Sequence, residues 1–251
     1  MHPMLRRLDD LATHLATRPD AVALLGLGSA GVDHDRLDDH SDLDFFLVVA
    51  DGAVARYTRD VDWLSAPCPV AYSFANERNG RKARYADGIF VEYAIFTVAE
   101  LARLAFTGAR VVWQRPDAPP GLADAGAPAA APTAYDTVEF HLNEALTNLY
   151  VGLHRELRGE RLSAARFIQT YAVDRALALL RLTTPAGHRR DPFDPSRRVE
   201  QAYPPEVLPL AELVPGYRHN RAAARAMFHW LESRFPIDPG IGEPIRDLLG
   251  R

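Results

Sequence analysis

The stretch GLGSAGVDHDRLDDHSDLDFFLVV, residues 26–49, decides the fold. In this stretch a glycine–serine pair, Gly28 and Ser29, follows one apolar run, and Asp42 and Asp44 stand at the start of another. Because successive side chains of a strand point to opposite faces, the two aspartates share one face of the strand that the second run predicts. Two carboxylates roughly 7 Å apart on one face repel each other unless a cation lies between them. We therefore expect a cation site at the start of this strand.

The residue types around this strand favour a divalent cation with a phosphate ligand. Carboxylate oxygens suit Mg²⁺ or Mn²⁺, which are hard ions that also bind phosphate. Gly28 lets the backbone approach a ligand closely, and Ser29 with the N–H groups after it can hold phosphate oxygens. Two metal ions need a further carboxylate, and Glu92, a lone acid in the aromatic run GIFVEYAIF, is the candidate. Asp42, Asp44 and Glu92 are thus the predicted ligands of two Mg²⁺ ions, and the glycine–serine pair is the predicted nucleotide contact.

The same residues also have structural explanations. Asp42 and Asp44 could form the solvated face of an edge strand, and Glu92 could lie on the polar face of a half-exposed strand. The combination of all three acids with the preceding glycine–serine pair favours the metal site. Four cations also crowd a segment between two predicted strands, where a solvated hairpin loop is favoured over binding of a triphosphate. These four are Arg78, Arg81, Lys82 and Arg84.

The composition disfavours several classes of protein. The 251 residues carry a formal net charge of −4. Proteins that bind a nucleic acid polymer usually have an excess of basic residues. No run of about 18 apolar residues could span a membrane. The single cysteine, Cys68, allows no intrachain disulfide and favours a reducing compartment. We expect a cytoplasmic protein with neither a nucleic acid polymer nor a membrane as its partner.

Hydrophobic periodicity predicts two parts of different class. In the first part, apolar residues at helical spacing come first, and short apolar runs that predict strands follow. These strands are predicted over 21–28, 45–50, 70–75, 88–97 and 110–114. Apolar residues at i, i+3, i+4 and i+7 then predict long helices, with the first ending at Gly159. The fold class is therefore α+β, with a mixed sheet and flanking helices over 1–114, a Pro/Ala-rich linker over 115–134, and an all-α bundle over 135–251.

These residues resemble a known family. A glycine–serine pair, a loop, and Ser-Asp-x-Asp running into an apolar strand resemble the signature of the polymerase-β-like nucleotidyltransferases. Within that group the chain is most similar to the two-domain, dimeric lincosamide nucleotidyltransferases, which are antibiotic-resistance enzymes related to aminoglycoside nucleotidyltransferases. The resemblance spans most of residues 20–230, including DWLSAPCPVAYSFANERNG and VEFHLNEALTNLYVGLHRELRGERLSAARFI. The loop departs from the family pattern, since Gly31 comes only two residues after Ser29.

The resemblance implies that a nucleoside monophosphate passes from an NTP to a hydroxyl of a small lincosamide- or aminoglycoside-like acceptor, with release of pyrophosphate. It also implies a homodimer, and it makes residues 1–114 the nucleotidyltransferase domain. Glu139 or Glu144 could act as the base or bind the acceptor if their helix closes over the cleft, although a solvated helix face is the simpler explanation. The alternatives are nucleotidylation of a protein, as in toxin–antitoxin pairs, transfer to RNA, and a degenerate module that binds nucleotide without catalysis.

Overall fold

The computed structural model describes residues 1–32, 37–124, 135–184 and 194–250 of the chain. The chain divides into two compact units, Met1–Ala131 and Pro132–Arg251. The first unit holds a mixed sheet with helices, and the second is helical, which confirms the predicted α+β class.

The first unit contains a six-stranded sheet of order β3-β4-β5-β2-β1-β6 among its described residues. Strands β2 and β5 are parallel, and the other neighbouring pairs are antiparallel. The strands are β1 (Ala21–Gly26), β2 (Leu43–Val49), β3 (Val70–Ala75), β4 (Gly80–Tyr85), β5 (Phe90–Phe96) and β6 (Arg110–Gln114). The helices of this unit are α1 (Pro3–Leu15), α2 (Val54–Arg59), α3 (Asp62–Ser65) and α4 (Val98–Leu101).

One face of this sheet carries the main apolar core. Leu8 and Leu11 of α1 are fully buried in it, as the helical spacing of the first residues predicts. Phe45 of β2 and Tyr93 of β5 stack with their ring centroids 5.1 Å apart. Trp63 of α3 packs edge-on against both rings, at 6.3 Å and 5.3 Å. These aromatic contacts fix the two parallel strands side by side, which sets the position of the residues on the opposite face.

Arg81, Lys82 and Arg84 lie on strand β4, so the prediction of a solvated hairpin loop is wrong for these three cations. Arg78 lies in the turn between β3 and β4. Strand β4 pairs with β3 on one side and with β5 on the other. Its sequence GRKARY has no apolar run, and its buried apolar side chains are Ala83 and Tyr85. The two ladders hold β4 in the sheet, which is tertiary pairing that a local pattern does not report.

The predicted linker over 115–134 is described only in part, since residues 125–134 lie outside the described residues. Of the described residues 115–124, Ala118 and Leu122 pack on the second face of the sheet. Leu122 is buried there in one apolar cluster with Leu25 and Val48. Part of the predicted linker thus contributes to an apolar cluster of the first unit, and the predicted domain bounds stay a prediction.

The second unit is built from helices around one apolar cluster. Its helices are α5 (Val138–Leu157), α6 (Arg161–Arg166), α7 (Ala172–Thr183), α8 (Val199–Ala202), α9 (Leu210–Leu213), α10 (Asn220–Glu232) and α11 (Pro239–Gly250). A π-helical turn, Phe167–Tyr171, joins α6 to α7 within the long helix that the sequence predicted. Gly159 has a φ of +80° just after α5, which confirms its predicted role as the glycine that ends this helix. Of the helices in the described ranges, none combines the length and apolar character needed to cross a membrane.

A hydrogen-bonded amide pair lies in the second unit. Gln169 donates to the side-chain oxygen of Asn220 at 2.7 Å and to the backbone oxygen of Gly216 at 3.0 Å, and it accepts from the Gly216 N–H at 2.9 Å. Asn220 in turn donates to Glu156 at 2.8 Å and to the Arg161 carbonyl at 3.1 Å. Both amides are buried, and their hydrogen bonds link the π-helical turn to α5 and α10.

Candidate functional site

The predicted metal ligands Asp44 and Glu92 are neighbours in the sheet. Asp44 lies at the start of β2, and its register partner in the parallel ladder to β5 is Glu92. Register partners project from the same face, so the two carboxylates stand side by side on the face opposite the aromatic core. Asp42 precedes β2 by one residue. The structure therefore brings the predicted acids to one end of the sheet, and we call Asp42, Asp44, Glu92 and their neighbour Lys82 the acid end.

The glycine–serine pair packs against the same end. The Leu27 N–H donates to the Asp44 carbonyl at 2.9 Å, and the Ser29 hydroxyl donates to the Asp42 carbonyl at 3.3 Å. Gly28 has a φ of +53°, and a Cβ added to it would lie 2.9 Å from Asp44 Oδ2. Glycine is needed here for both the conformation and the space, so the 3₁₀ turn Gly28–Ala30 closes directly over the carboxylate.

Lys82 belongs to this site, and the sequence prediction missed it. Its register partner in the antiparallel ladder from β4 to β5 is Glu92, and its Nζ lies 2.6 Å from Glu92 Oε1. The hydrogen bond to Glu92 raises the pKa of Lys82, and the charges of Asp42 and Asp44 raise it further. The ammonium therefore stays charged at neutral pH and interacts with all three acids.

A signal for Lys82 exists in the sequence. It is the single lysine among 29 lysine and arginine residues. The neighbouring Arg81 points elsewhere, since it donates to the Ser73 hydroxyl and to the Thr58 carbonyl, each at 3.0 Å. Alternation along a strand separates the two cations onto opposite faces.

An apolar wall continues the acid end along the same face. Phe46 follows Asp44 by two residues, and its ring meets Phe96 at 5.2 Å and Phe106 at 5.6 Å, both edge-on. Val48 extends this wall as part of the cluster around Leu122. A carboxylate beside such a surface is poorly solvated on one side, which strengthens its interaction with a cation.

The predicted pair of metal ions depends on carboxylates from all three acids. Asp42 and Asp44 supply carboxylate oxygens, and the turn over Asp44 leaves no room for a Cβ at Gly28. Glu92, the third predicted ligand, bonds to Lys82 instead. Within the described ranges, no three His, Cys, Asp or Glu side chains form a group arranged to hold a metal ion. The three-carboxylate ligand set therefore remains a prediction.

The two acids predicted as base or acceptor ligand lie on α5 of the second unit. Glu139 is exposed in the first turn of this helix. Glu144 lies 3.9 Å from the Arg175 guanidinium, and its side chain is 41% exposed. An exposed pair at this distance contributes little stability, so Glu144 has no strong structural role. Their functional assignment remains a prediction.

The second unit has an open cleft of its own beside the π-helical turn. It is lined by charged and aromatic side chains, including Arg166, Tyr171 and Tyr217. Phe167 and Tyr171 meet edge-on at 5.3 Å within the turn, and Tyr171 is 40% exposed. Arg166 and Tyr171 therefore share a concave surface rather than the core of the bundle.

Comparisons with known proteins give only distant matches. No family model and no curated protein matches the chain. A solved nucleotidyltransferase-like protein from Exiguobacterium sibiricum 255-15 is 12% identical, with a TM-score of 0.36 over 98% of this chain and 79% of that one. An aminoglycoside 6-adenyltransferase from Bacillus subtilis is 10% identical, with a TM-score of 0.32 over 100% of this chain and 92% of that one. At these values neither match assigns an activity to this chain.

Proposed function

We propose that this chain is a metal-dependent nucleotidyltransferase, which transfers a nucleoside monophosphate from an NTP to a hydroxyl of a small molecule. The observation that carries the proposal is the arrangement around Asp44. The turn at Gly28 closes over this carboxylate, and Glu92 stands beside it in register. Carboxylates next to a glycine-containing turn suit a metal-bound triphosphate, since the acids can hold the cation and Gly28 lets the backbone approach phosphate oxygens closely. The N–H groups after Ser29 do not serve as predicted, because those of residues 30–32 donate to backbone carbonyls.

The residues of the acid end have separate tasks in this proposal. Asp42 and Asp44 would hold Mg²⁺, which when bound neutralises charge on the phosphate oxygens. Ser29 keeps the turn against the strand through its hydrogen bond to the Asp42 carbonyl. The wall formed by Phe46 and its aromatic neighbours limits the access of water to one side of the carboxylates.

The proposed reaction breaks a phosphoanhydride bond of the NTP and forms a phosphate ester bond to the acceptor. The acceptor oxygen forms a bond to the α-phosphorus, and the bond from that phosphorus to the oxygen bridging to the β-phosphate breaks. Pyrophosphate leaves with the electron pair, and the hydroxyl proton passes to a carboxylate. Glu92 is one candidate for this base, and Glu139 or Glu144 are others from the helical unit.

We further propose a lincosamide- or aminoglycoside-like antibiotic as the acceptor, in a cytoplasmic homodimer that confers antibiotic resistance. The resemblance of the stretches DWLSAPCPVAYSFANERNG and VEFHLNEALTNLYVGLHRELRGERLSAARFI supports this substrate class. A full helical unit besides the sheet unit also favours a small acceptor held in a pocket over a protein acceptor.

A screen of pyrophosphate release tests the proposal. Each of the four NTPs is combined with hydroxylated antibiotics and metabolites, with Mg²⁺ and with a chelator. We expect release with at least one acceptor, and only in the presence of the metal. Calorimetry with each NTP and Mg²⁺ is the companion measurement, because it needs no acceptor. The absence of metal-dependent NTP binding and of pyrophosphate release would contradict the proposal and favour a non-catalytic module.

A further inference from the structure

Lys82 and Glu92 form an ion pair whose position is set by the backbone pairing of the sheet. The two residues are register partners on β4 and β5, and each of these strands has a neighbour on both sides. Their Cα positions are therefore fixed by backbone ladders. Side-chain exposure of 32% for Lys82 and 36% for Glu92 places the pair at the surface of the acid end, where a ligand can reach it.

The choice of lysine at this position fits a cation that faces several acids. An ammonium is a compact point charge with three donors, whereas a guanidinium is a planar fork suited to one carboxylate. The remaining lysine and arginine positions of the chain are all arginine, so a lysine is unusual at this position. Across three neighbouring strands, Lys82, Glu92 and Asp44 follow one another in register.

We propose that the ammonium of Lys82 is a built-in cation of the transferase site, which takes the place of one of the two expected metal ions. The acid end then accepts a single divalent ion, held by Asp42 and Asp44, while Glu92 remains bound to Lys82. This inference rests on the proposed function and refines its cofactor requirement.

A consequence of the proposal is that Lys82 limits metal binding in the absence of nucleotide. Its positive charge repels a second cation, and its bond to Glu92 removes a carboxylate from the ligand set. Replacing Lys82 by methionine keeps an unbranched side chain and deletes the charge. Glu92 then becomes available as a metal ligand beside Asp44.

Binding of Mn²⁺, followed by the electron paramagnetic resonance signal of the free ion, tests the proposal on the full chain without nucleotide. We expect one ion per wild-type chain. Lys82→Met should bind a second ion, or the first about tenfold more tightly, because a like charge within a few ångströms is removed. Lys82→Arg keeps the charge and should bind one ion. Arg84→Met removes a charge from an exposed position two residues along the same strand and should stay within about twofold of the wild type.

A second substitution makes the result specific to Glu92. Adding Glu92→Gln to the Lys82→Met variant should abolish the gain in Mn²⁺ binding, because the newly available ligand is lost. Two ions on the wild-type chain, or unchanged binding by Lys82→Met with normal circular dichroism, would overturn the inference. The proposed function would survive that result if metal-dependent NTP binding persists. Loss of Mn²⁺ and NTP binding in every variant and in the wild type would overturn both.

Discussion

Polar side chains cluster in both units, but the two clusters differ in exposure and in charge. In the helical unit, Gln169 and Asn220 are 8% and 1% exposed, and their amide groups bond to each other and to neighbouring groups. At the acid end of the sheet, Lys82 and Glu92 are about a third exposed, Asp44 stands on the same face, and Asp42 comes one residue before β2.

The difference separates a structural cluster from a functional one. A buried amide that is hydrogen-bonded stabilises one packing arrangement and leaves nothing for a ligand to bind. Partly exposed carboxylates around an ammonium leave oxygens that can face solvent and a cation. Substitutions in the amide pair should therefore change mainly stability, and substitutions at the acid end should change mainly ligand binding and activity.

The largest expected effect follows the loss of a metal ligand. Asp44→Asn should lower the rate of pyrophosphate release roughly a thousandfold, since metal ions contribute several kcal/mol to such reactions and each 1.36 kcal/mol is a factor of ten. The midpoint of thermal unfolding should change little, because Asp44 is only partly buried. Asp51→Asn, in the exposed loop after the other end of β2, is the matched control and should retain activity. Full activity of Asp44→Asn would show that the site is misplaced.

A substitution in the buried amide pair of the helical unit should lower stability and leave metal binding unchanged. Asn220→Ala removes a buried amide and leaves Gln169 and Glu156 without one partner each. We expect a loss of about 3 kcal/mol in the free energy of unfolding, measured by circular dichroism in urea. Asn143→Ala, at an exposed position of α5, should change it by less than about 0.5 kcal/mol. Mn²⁺ affinity should be unchanged in both, and a weakened Mn²⁺ affinity in Asn220→Ala would break the distinction between the clusters.

Glycine substitutions sharpen the description of the turn over Asp44. Gly28→Ala places a Cβ 2.9 Å from Asp44 Oδ2 at a φ of +53°, whereas at Gly52, with a φ of +80°, an added Cβ meets no atom within 4 Å. Both variants should lose about 1 to 2 kcal/mol of stability from the left-handed conformation. Only Gly28→Ala should also weaken binding of Mn²⁺ and NTP in calorimetry. Equal binding by the two variants would show that the turn does not support the site.

The smallest effect concerns a carboxylate with an ordinary structural role. Hydrogen bonds from His141 and Arg181 lower the pKa of Asp136 in the helical unit. A lowered pKa in the folded state means that the stabilisation is present above the ordinary pKa and is lost as the pH falls through the folded value. Asp136→Asn should therefore cost about 1 kcal/mol at pH 7, and the difference from the wild type should shrink in acid. Urea titrations at several pH values measure this, and a difference that grows in acid would contradict the assignment.

The sequence predicted those parts of the molecule in which local pattern and burial agree. Phe45 and Leu47 alternate with Asp44 and Phe46, so the strand and its two faces could be derived from the residues. The strand Gly80–Tyr85 could not be derived in this way, because it has no apolar run. Backbone pairing with a neighbouring strand on each side holds it in the sheet. Lys82 was missed for the same reason. A residue that is predicted to lie in a loop cannot be assigned to one face of the sheet. The bond between Glu92 and this lysine joins two strands, and the spacing of residues along one strand does not predict such a contact.

The position of a bound metal ion is the most direct test of the acid end. Crystals grown with Mn²⁺ and a non-hydrolysable NTP analogue give an anomalous signal that locates the ion. We expect a peak about 2.1 Å from carboxylate oxygens of Asp42 and Asp44, with the Lys82–Glu92 pair intact. A peak elsewhere in the chain, with the nucleotide bound away from these aspartates, would contradict it.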